Sequence, residues 1–140
     1  MELKIKRLDE DAKLPTRAYA TDAGYDLYAG MSYDIRPGDR VQISTKIALQ
    51  IPEGYVGLIW DKSGLSHNKG LKVLGGVIDS GYRGELLVGM TNISDRTFTM
   101  RRGEKVAQML VQKYEAPDVV EVDELDDSDR GDDAFGSTGK

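Results

Sequence analysis

Arg40-Val41-Gln42-Ile43-Ser44-Thr45-Lys46-Ile47-Ala48-Leu49-Gln50-Ile51 decides the fold class. Val41, Ile43, Ile47, Leu49 and Ile51 all fall on one parity. Strand side chains alternate between faces, so this spacing predicts a long β-strand with one buried face. The pattern recurs on either side. Leu86, Val88 and Met90 alternate within Gly84–Asn92, and Leu3 and Ile5 share a face near the start. Tyr55–Trp60 is apolar at both parities and reads as a fully buried strand. Arg96–Met100 reads as a further short strand. In Lys105–Gln112, Val106, Ala107 and Leu110 also fit a helical face, but the neighbouring strands favour β.

The turns agree with this pattern. Arg36-Pro37-Gly38-Asp39, Ile51-Pro52-Glu53-Gly54 and Met100-Arg101-Arg102-Gly103-Glu104 carry turn chemistry between strands. Several short strands separated by such turns predict a sandwich, jelly roll or barrel. Only Ser63–Lys69 reads as a short helical turn. After Pro117 the alternation stops, leaving one possible strand at Val119–Val122 and then a polar, glycine-rich end. The organisation expected is a β-domain over residues 1–116 and an arm over 117–140.

Composition narrows the chemistry. The chain of 140 residues fits one domain with one core. It has no cysteine, so thiol catalysis, disulfides and thiolate metal sites are excluded. Its single histidine, His67, cannot build a histidine metal site or a Ser-His-Asp triad alone. No apolar run approaches the roughly 20 residues that span a bilayer. The start of the chain has no apolar signal segment, so a cytoplasmic location is the expectation. Residues 115–140 hold ten acids and two bases, whereas residues 1–114 carry a net charge of +3. Lysines and arginines do not cluster with interleaved aromatics, so no nucleic-acid partner is expected.

Five segments carry possible chemistry. In Gly75-Gly76-Val77-Ile78-Asp79-Ser80-Gly81-Tyr82-Arg83-Gly84-Glu85, paired glycines let backbone approach a ligand, and one carboxylate sits three residues before an aromatic ring. A plain hairpin turning at Asp79-Ser80-Gly81 is the structural alternative. Asp61-Lys62-Ser63-Gly64-Leu65-Ser66 offers amides, a lysine and a hydroxyl suited to phosphate, or an ordinary N-cap. Arg130-Gly131-Asp132-Asp133-Ala134-Phe135-Gly136-Ser137-Thr138-Gly139-Lys140 is a solvated tail, or an arm that orders over a nucleotide. In the second case arginine forks onto phosphate and phenylalanine stacks on a base. Thr21–Ala29 offers two acids near a glycine, and Arg102–Gln108 a turn and an inward glutamine.

Taken together, DAGYDLYA, DKSGLS, GGVIDSGYRGEL, RRGEKVAQ and RGDDAFGSTGK resemble, in order, the five motifs of trimeric dUTPases. The resemblance runs from about Ala20 to Lys140. It implies an all-β, jelly-roll-like distorted barrel, assembled as a homotrimer, that hydrolyses dUTP to dUMP and pyrophosphate with Mg2+. Each site would take motifs one, two and four from one chain, motif three from a second and the arm from a third. Asp79 is implied as the base that activates a water for in-line attack on the α-phosphorus. Tyr82 would pack under the deoxyribose. Backbone of Val73, Gly75, Gly76, Val77 and Ile78, with Leu87 opposite, would pair with uracil. Lys62, Ser63, Gly64 and Gln108 would hold phosphates. Arg130, Phe135, Gly136, Ser137 and Thr138 would close as a lid. Magnesium would be held mainly by phosphate oxygens and water, with Asp26 supporting it indirectly.

Two departures from the motifs stand out. Lys62-Ser63 replaces the usual Arg-Ser, which keeps the charge but loses the bidentate fork. Asp133 and Ala134 stand where motif five usually has glycines. The rival readings are a dCTP deaminase or bifunctional dCTP deaminase/dUTPase on the same fold, and a non-catalytic nucleotide-binding regulatory protein. The deaminase glutamate, three residues before a strand asparagine taken as Asn92, is replaced here by Gly89. Asp79, Tyr82 and Phe135 are all present, which argues against lost catalysis.

Overall fold

The structure, a computed structural model, describes residues 1–136, 138 and 139. In chain order the elements are β1 (Lys4–Arg7), β2 (Gly24–Tyr28), β3 (Tyr33–Ile35), β4 (Arg40–Gln50) and β5 (Tyr55–Trp60). After the helix α1 (Ser63–Lys69) come β6 (Leu71–Leu74), β7 (Val77–Ile78), β8 (Glu85–Asn92), β9 (Phe98–Met100) and β10 (Lys105–Lys113). One sheet has the order β1-β4-β8-β6, a second the order β2-β10-β5-β7, and β3 pairs with β9. Every pairing is antiparallel.

The alternation in β4 works as expected. Ile43, Ile47 and Leu49 are buried, as are Leu86, Val88 and Met90 of β8 beside them. The second sheet contributes Leu27, Ile59 and Met109 to the same core. Burying these side chains is the main stabilising term, at about 1.5–3 kcal/mol for each large aliphatic residue. Lys105–Lys113 is a strand, not a helix, because it pairs with β2 on one side and β5 on the other. That register sets Gln108 between Asp26 and Trp60. No helix among the described residues is long and apolar enough to cross a membrane.

Three expectations need correction. β5 is not buried on both faces. Gly57 and Ile59 point inward, whereas Val56 and Leu58 are half-buried and Trp60 is 55% exposed. Second, Asp79–Tyr82 does form a turn, with the Tyr82 N–H donating to the Asp79 carbonyl at 3.1 Å. It does not join two paired strands, however. β7 pairs with β5, and β8 pairs with β6. Third, Val119–Val122 is not a strand, since no sheet edge of this chain accepts it and Val119 is 99% exposed. From residue 114 onward the described residues form no strand or helix.

The chain changes sheets between β6 and β7, using only Gly75 and Gly76. Their φ values are +70° and +124°, regions that side chains make costly. The Gly76 carbonyl accepts the Ile59 N–H at 2.8 Å, and a Cβ at Gly76 would meet Ile59 Cβ at 2.8 Å. Gly76→Ala is therefore expected to lower urea stability by about 2–4 kcal/mol through strain and overpacking. Gly81 has open space around a Cβ and no positive φ. Gly81→Ala should stay within about 0.5 kcal/mol of the parent. Equal losses in the two variants would show that the crossover is not the strained point.

Candidate functional site

Asp26 lies on β2, 6% exposed, between two lysines. Lys62 Nζ donates to its Oδ1 at 2.6 Å, and Lys105 Nζ donates to its Oδ2 at 2.9 Å. Burial pushes the Asp26 carboxyl up, but the hydrogen bonds and charges of Lys62 and Lys105 outweigh it, holding it below the ordinary carboxylate value. The same contact raises Lys105, first through the hydrogen bond to Asp26 and then through its charge. The cluster is thus a fixed carboxylate holding two ammonium groups close together.

Lys62 is also the N-cap residue of α1, and no side chain caps the helix there. The alternative of an ordinary Asp61 or Ser63 cap is therefore not what forms. Asp61 turns instead to β6, where its Oδ1 accepts the Val73 N–H at 2.6 Å and its Oδ2 accepts Lys72 Nζ at 2.7 Å. Gln108 Nε2 donates to the Asp61 carbonyl at 2.9 Å, tying β10 to the start of the helix. Ser63 and Gly64 begin the helix, where N–H groups lack intrahelical acceptors. A cleft of about 340 Å³ opens here, lined by Trp60, Asp61, Ser63 and Gln108 among others. A second, of about 190 Å³, is lined by Trp60, Val73, Gly75, Gly76 and Val77 among others. Trp60 is the wall they share.

Asp79 is not in this group. β7 runs antiparallel to β5, with Val77 beside Leu58 and Ile78 beside Gly57. Asp79 therefore follows at the level of Val56, and Lys62 lies beyond the other end of β5. At about 3.3 Å per strand residue the two are roughly 20 Å apart along the strand. Asp79 is exposed, and Tyr82 follows it in the same loop with its hydroxyl donating to the Glu85 carbonyl at 2.7 Å. β6 pairs with β8 only as far as Leu74 opposite Gly89, so the β8 edge from Glu85 to Val88 has no β6 partner. Leu87 sits on that segment and is partly exposed.

Among the described residues, Arg130 bonds locally, to the carbonyls of Asp133 and Ala134, each at 3.1 Å. Phe135 is fully exposed, Gly136 has φ +83°, and Thr138 is exposed. Ser137 lies outside the described residues. Within one chain, then, Asp26, Lys62, Ser63, Gly64 and Gln108 come together. Asp79, Tyr82 and Leu87 form a separate group, and among the described residues the arm hydrogen-bonds to neither. The sequence reading missed Lys105 and Trp60. The signal for Lys105 was its place three residues before Gln108, whose cross-strand partner is Asp26.

Fold and site together define an all-β protein with a lysine–carboxylate cluster at one end of β5 and a carboxylate-bearing loop at the other. The family model described as dUTPase matches residues 10–139. A deoxyuridine 5′-triphosphate nucleotidohydrolase of Mycolicibacterium gilvum is 43% identical, over 98% of this chain and 94% of that protein. A mutant dUTPase of Staphylococcus bacteriophage 80alpha, solved with dUpNHpp, superposes with a TM-score of 0.93 at 30% identity, covering 99% of both chains. A mutant dUTPase of phage phi11 of S. aureus, solved to show the coordination of a structural Mg(II) ion, gives 0.83 at 30% identity. It covers 89% of this chain and 99% of its own. The chain belongs to the dUTPase family.

The lowered Asp26 value carries a pH signature. Stability from such a group is complete above the unfolded value, near 3.9, and is lost as pH falls through the lower folded value. Asp26→Asn should cost about 1–3 kcal/mol in urea at neutral pH. That is less than the roughly 3–5 kcal/mol of a fully buried broken pair, because both ammonium groups reach solvent. The gap between variant and parent should shrink below about pH 4. A constant gap down to about pH 3 would mean that the charge of Asp26 is not what matters.

Proposed function

We propose that this chain is a dUTP diphosphatase, hydrolysing dUTP to dUMP and pyrophosphate, lowering dUTP and supplying dUMP for thymidylate synthesis. The observation that carries this reading is the match along nearly the whole chain to dUTP nucleotidohydrolases, with Asp79 and Tyr82 present on one exposed loop. Asp79 orients a water and takes its proton as the water attacks the α-phosphorus in line, and pyrophosphate leaves. Tyr82 packs under the deoxyribose, leaving no room for a 2′-hydroxyl. Uracil pairs with backbone of Val73–Val77 and Leu87, where a C5 methyl would collide. Lys62, Ser63, Gly64 and Gln108 hold the phosphates, and Lys105 adds a second positive charge beside them. Arg130, Phe135, Gly136, Ser137 and Thr138 clamp the bound nucleotide.

A homotrimer is part of the proposal, and three features support it. Asp79 and the Lys62 cluster are too far apart in one chain to act on one phosphate. Trp60 and Val77 expose apolar surface on the outer face of their sheet. Among the described residues of the arm, Val119, Leu125 and Phe135 leave their apolar side chains in solvent. With a second chain supplying Asp79 and a third the arm, each site is completed from three chains.

The donor set fits a metal carried on the substrate. No group of three or more His, Cys, Asp or Glu side chains converges among the described residues. Both Asp26 oxygens already accept lysine hydrogen bonds, so Asp26 would reach magnesium only through water. When bound, the metal supplies charge neutralisation at the phosphates. A deaminase reading is disfavoured by more than a missing side chain. A Cβ at Gly89 would meet the Leu74 carbonyl at 2.9 Å, so a glutamate there does not fit this backbone.

Incubation with each dNTP and UTP in magnesium should release pyrophosphate from dUTP far faster than from the others. Comparable release from dTTP would reject the proposed uracil slot. Asp79→Asn should lower turnover by about two or more orders of magnitude while a non-hydrolysable dUTP analogue still binds. Deleting Arg130–Lys140 should collapse turnover and leave thermal stability nearly unchanged. Mixed trimers of these two variants, verified by mass, should regain part of the activity. Mixed trimers without any recovery would overturn the exchange of arms between chains.

A further inference from the structure

We propose that Glu85 is a positioning residue for Tyr82, and through it for the selection of deoxyribose over ribose. The inference rests on the reading of Tyr82 as the residue beneath the sugar. It starts from a bulge in β4. Ser44 pairs with Leu87 and Ala48 with Glu85, so β4 has two residues more than β8 between these pairs. Lys46, inside the bulge, has φ +56°, which a non-glycine residue adopts only when neighbours hold it.

Glu85 is the main holder. One of its carboxylate oxygens accepts the Lys46 N–H at 3.0 Å and also the Ser44 hydroxyl. Thr45 Oγ1 donates to the Leu86 carbonyl at 2.6 Å. On the other side, the bulge carbonyls of Ser44 and Lys46 accept N–H groups of Gly30 at 2.7 Å and Leu8 at 2.9 Å. The bulge is therefore tied to three separate parts of the fold, and the Glu85 side chain ties β8 to it.

The main chain of the same residue holds Tyr82. Its carbonyl accepts the Tyr82 hydroxyl at 2.7 Å, closing the loop that begins at Asp79. The ring lies so close over the intervening turn that a Cβ at Gly84 would meet Tyr82 Oη at 2.6 Å and Cζ at 2.9 Å. A hydrogen bond to a partly exposed carbonyl fixes a ring only as well as that carbonyl is fixed. The carboxylate–bulge contact fixes it, through hydrogen bonds that the negative charge strengthens. Without the carboxylate, the start of β8 and the carbonyl on it gain freedom, and the ring no longer keeps a sharp limit beneath the sugar.

The test measures kcat and KM for dUTP and UTP, together with urea stability. Glu85→Ala should lower the dUTP-over-UTP ratio of kcat/KM by about three- to tenfold, the scale of one hydrogen bond. The change should lie mainly in KM, with kcat for dUTP altered less than about twofold. Glu85→Gln keeps an acceptor oxygen and should restore most of the ratio. Tyr82→Phe should reproduce the loss, and the double variant should lose no more than either single one. If Tyr82→Ala leaves the ratio unchanged, the reading of Tyr82 fails and the proposal falls with it. If Tyr82→Ala lowers the ratio and Glu85→Ala lowers stability alone, Glu85 is structural only and the proposal is overturned by itself. Should Glu85→Ala not fold, Ser44→Ala decides: a lowered ratio supports the proposal, and the parent ratio overturns it.

Discussion

Leu74 and Val77 belong to different sheets, and two residues carry the chain between them. Only glycine meets the demand at little cost, with two successive positive φ values and a main chain pressed against Ile59. Much of the functional geometry follows from this crossover. Because β6 leaves β8 after Leu74, the β8 edge from Glu85 to Val88 stays open. Because β7 then runs down β5, Asp79 is delivered to the end of that strand remote from Lys62. The crossover thus creates an unpaired backbone edge and separates the carboxylate of the loop from the lysines.

Asp26 solves a different problem. Two ammonium groups repel, and a buried carboxylate alone is costly by several kcal/mol. Together they are stable, since the desolvated carboxylate gains two charged partners and each lysine remains partly in water. The partners come from different places in the chain, the N-cap of α1 and the first residue of β10. Asp26 therefore fixes the mutual position of β2, α1 and β10 where positive charge is gathered. With lysine at position 62 instead of arginine, a single ammonium can be satisfied by one Asp26 oxygen, leaving the other for Lys105.

The arm differs from the domain in its energetics. Residues 115–140 carry ten acids against two bases, and their few apolar side chains, among them Val119, Leu125 and Phe135, face solvent. Such a segment cannot bury enough surface to offset its own ordering entropy. Among the described residues, its local contacts are the Arg130 bonds to two nearby carbonyls and the backbone bonds Gly131 to Ser128 and Asp133 to Arg130, which define turns.

The alternation of Val41–Ile51 and Leu86–Met90, the turns between strands and the short helix at Ser63 were legible in the sequence, as was the order of the five motifs. Face and period are properties of side chains, and side chains are what a sequence spells out. Strand partners were not legible. The sequence leaves a hairpin open for β7, although its hydrogen bonds go to β5, because ladder bonds use backbone groups that every residue shares. The same limit hid Lys105, whose importance comes from a cross-strand register that brings it to Asp26. It also hid the outward face of β5, since apolar content predicts burial without saying which surface covers it. By itself, then, the sequence determined the strands, their inward faces and the candidate side chains of the site. Only the tertiary structure decided which of those side chains meet, because backbone pairing, blind to residue type, sets Lys62 and Asp79 at opposite ends of one strand.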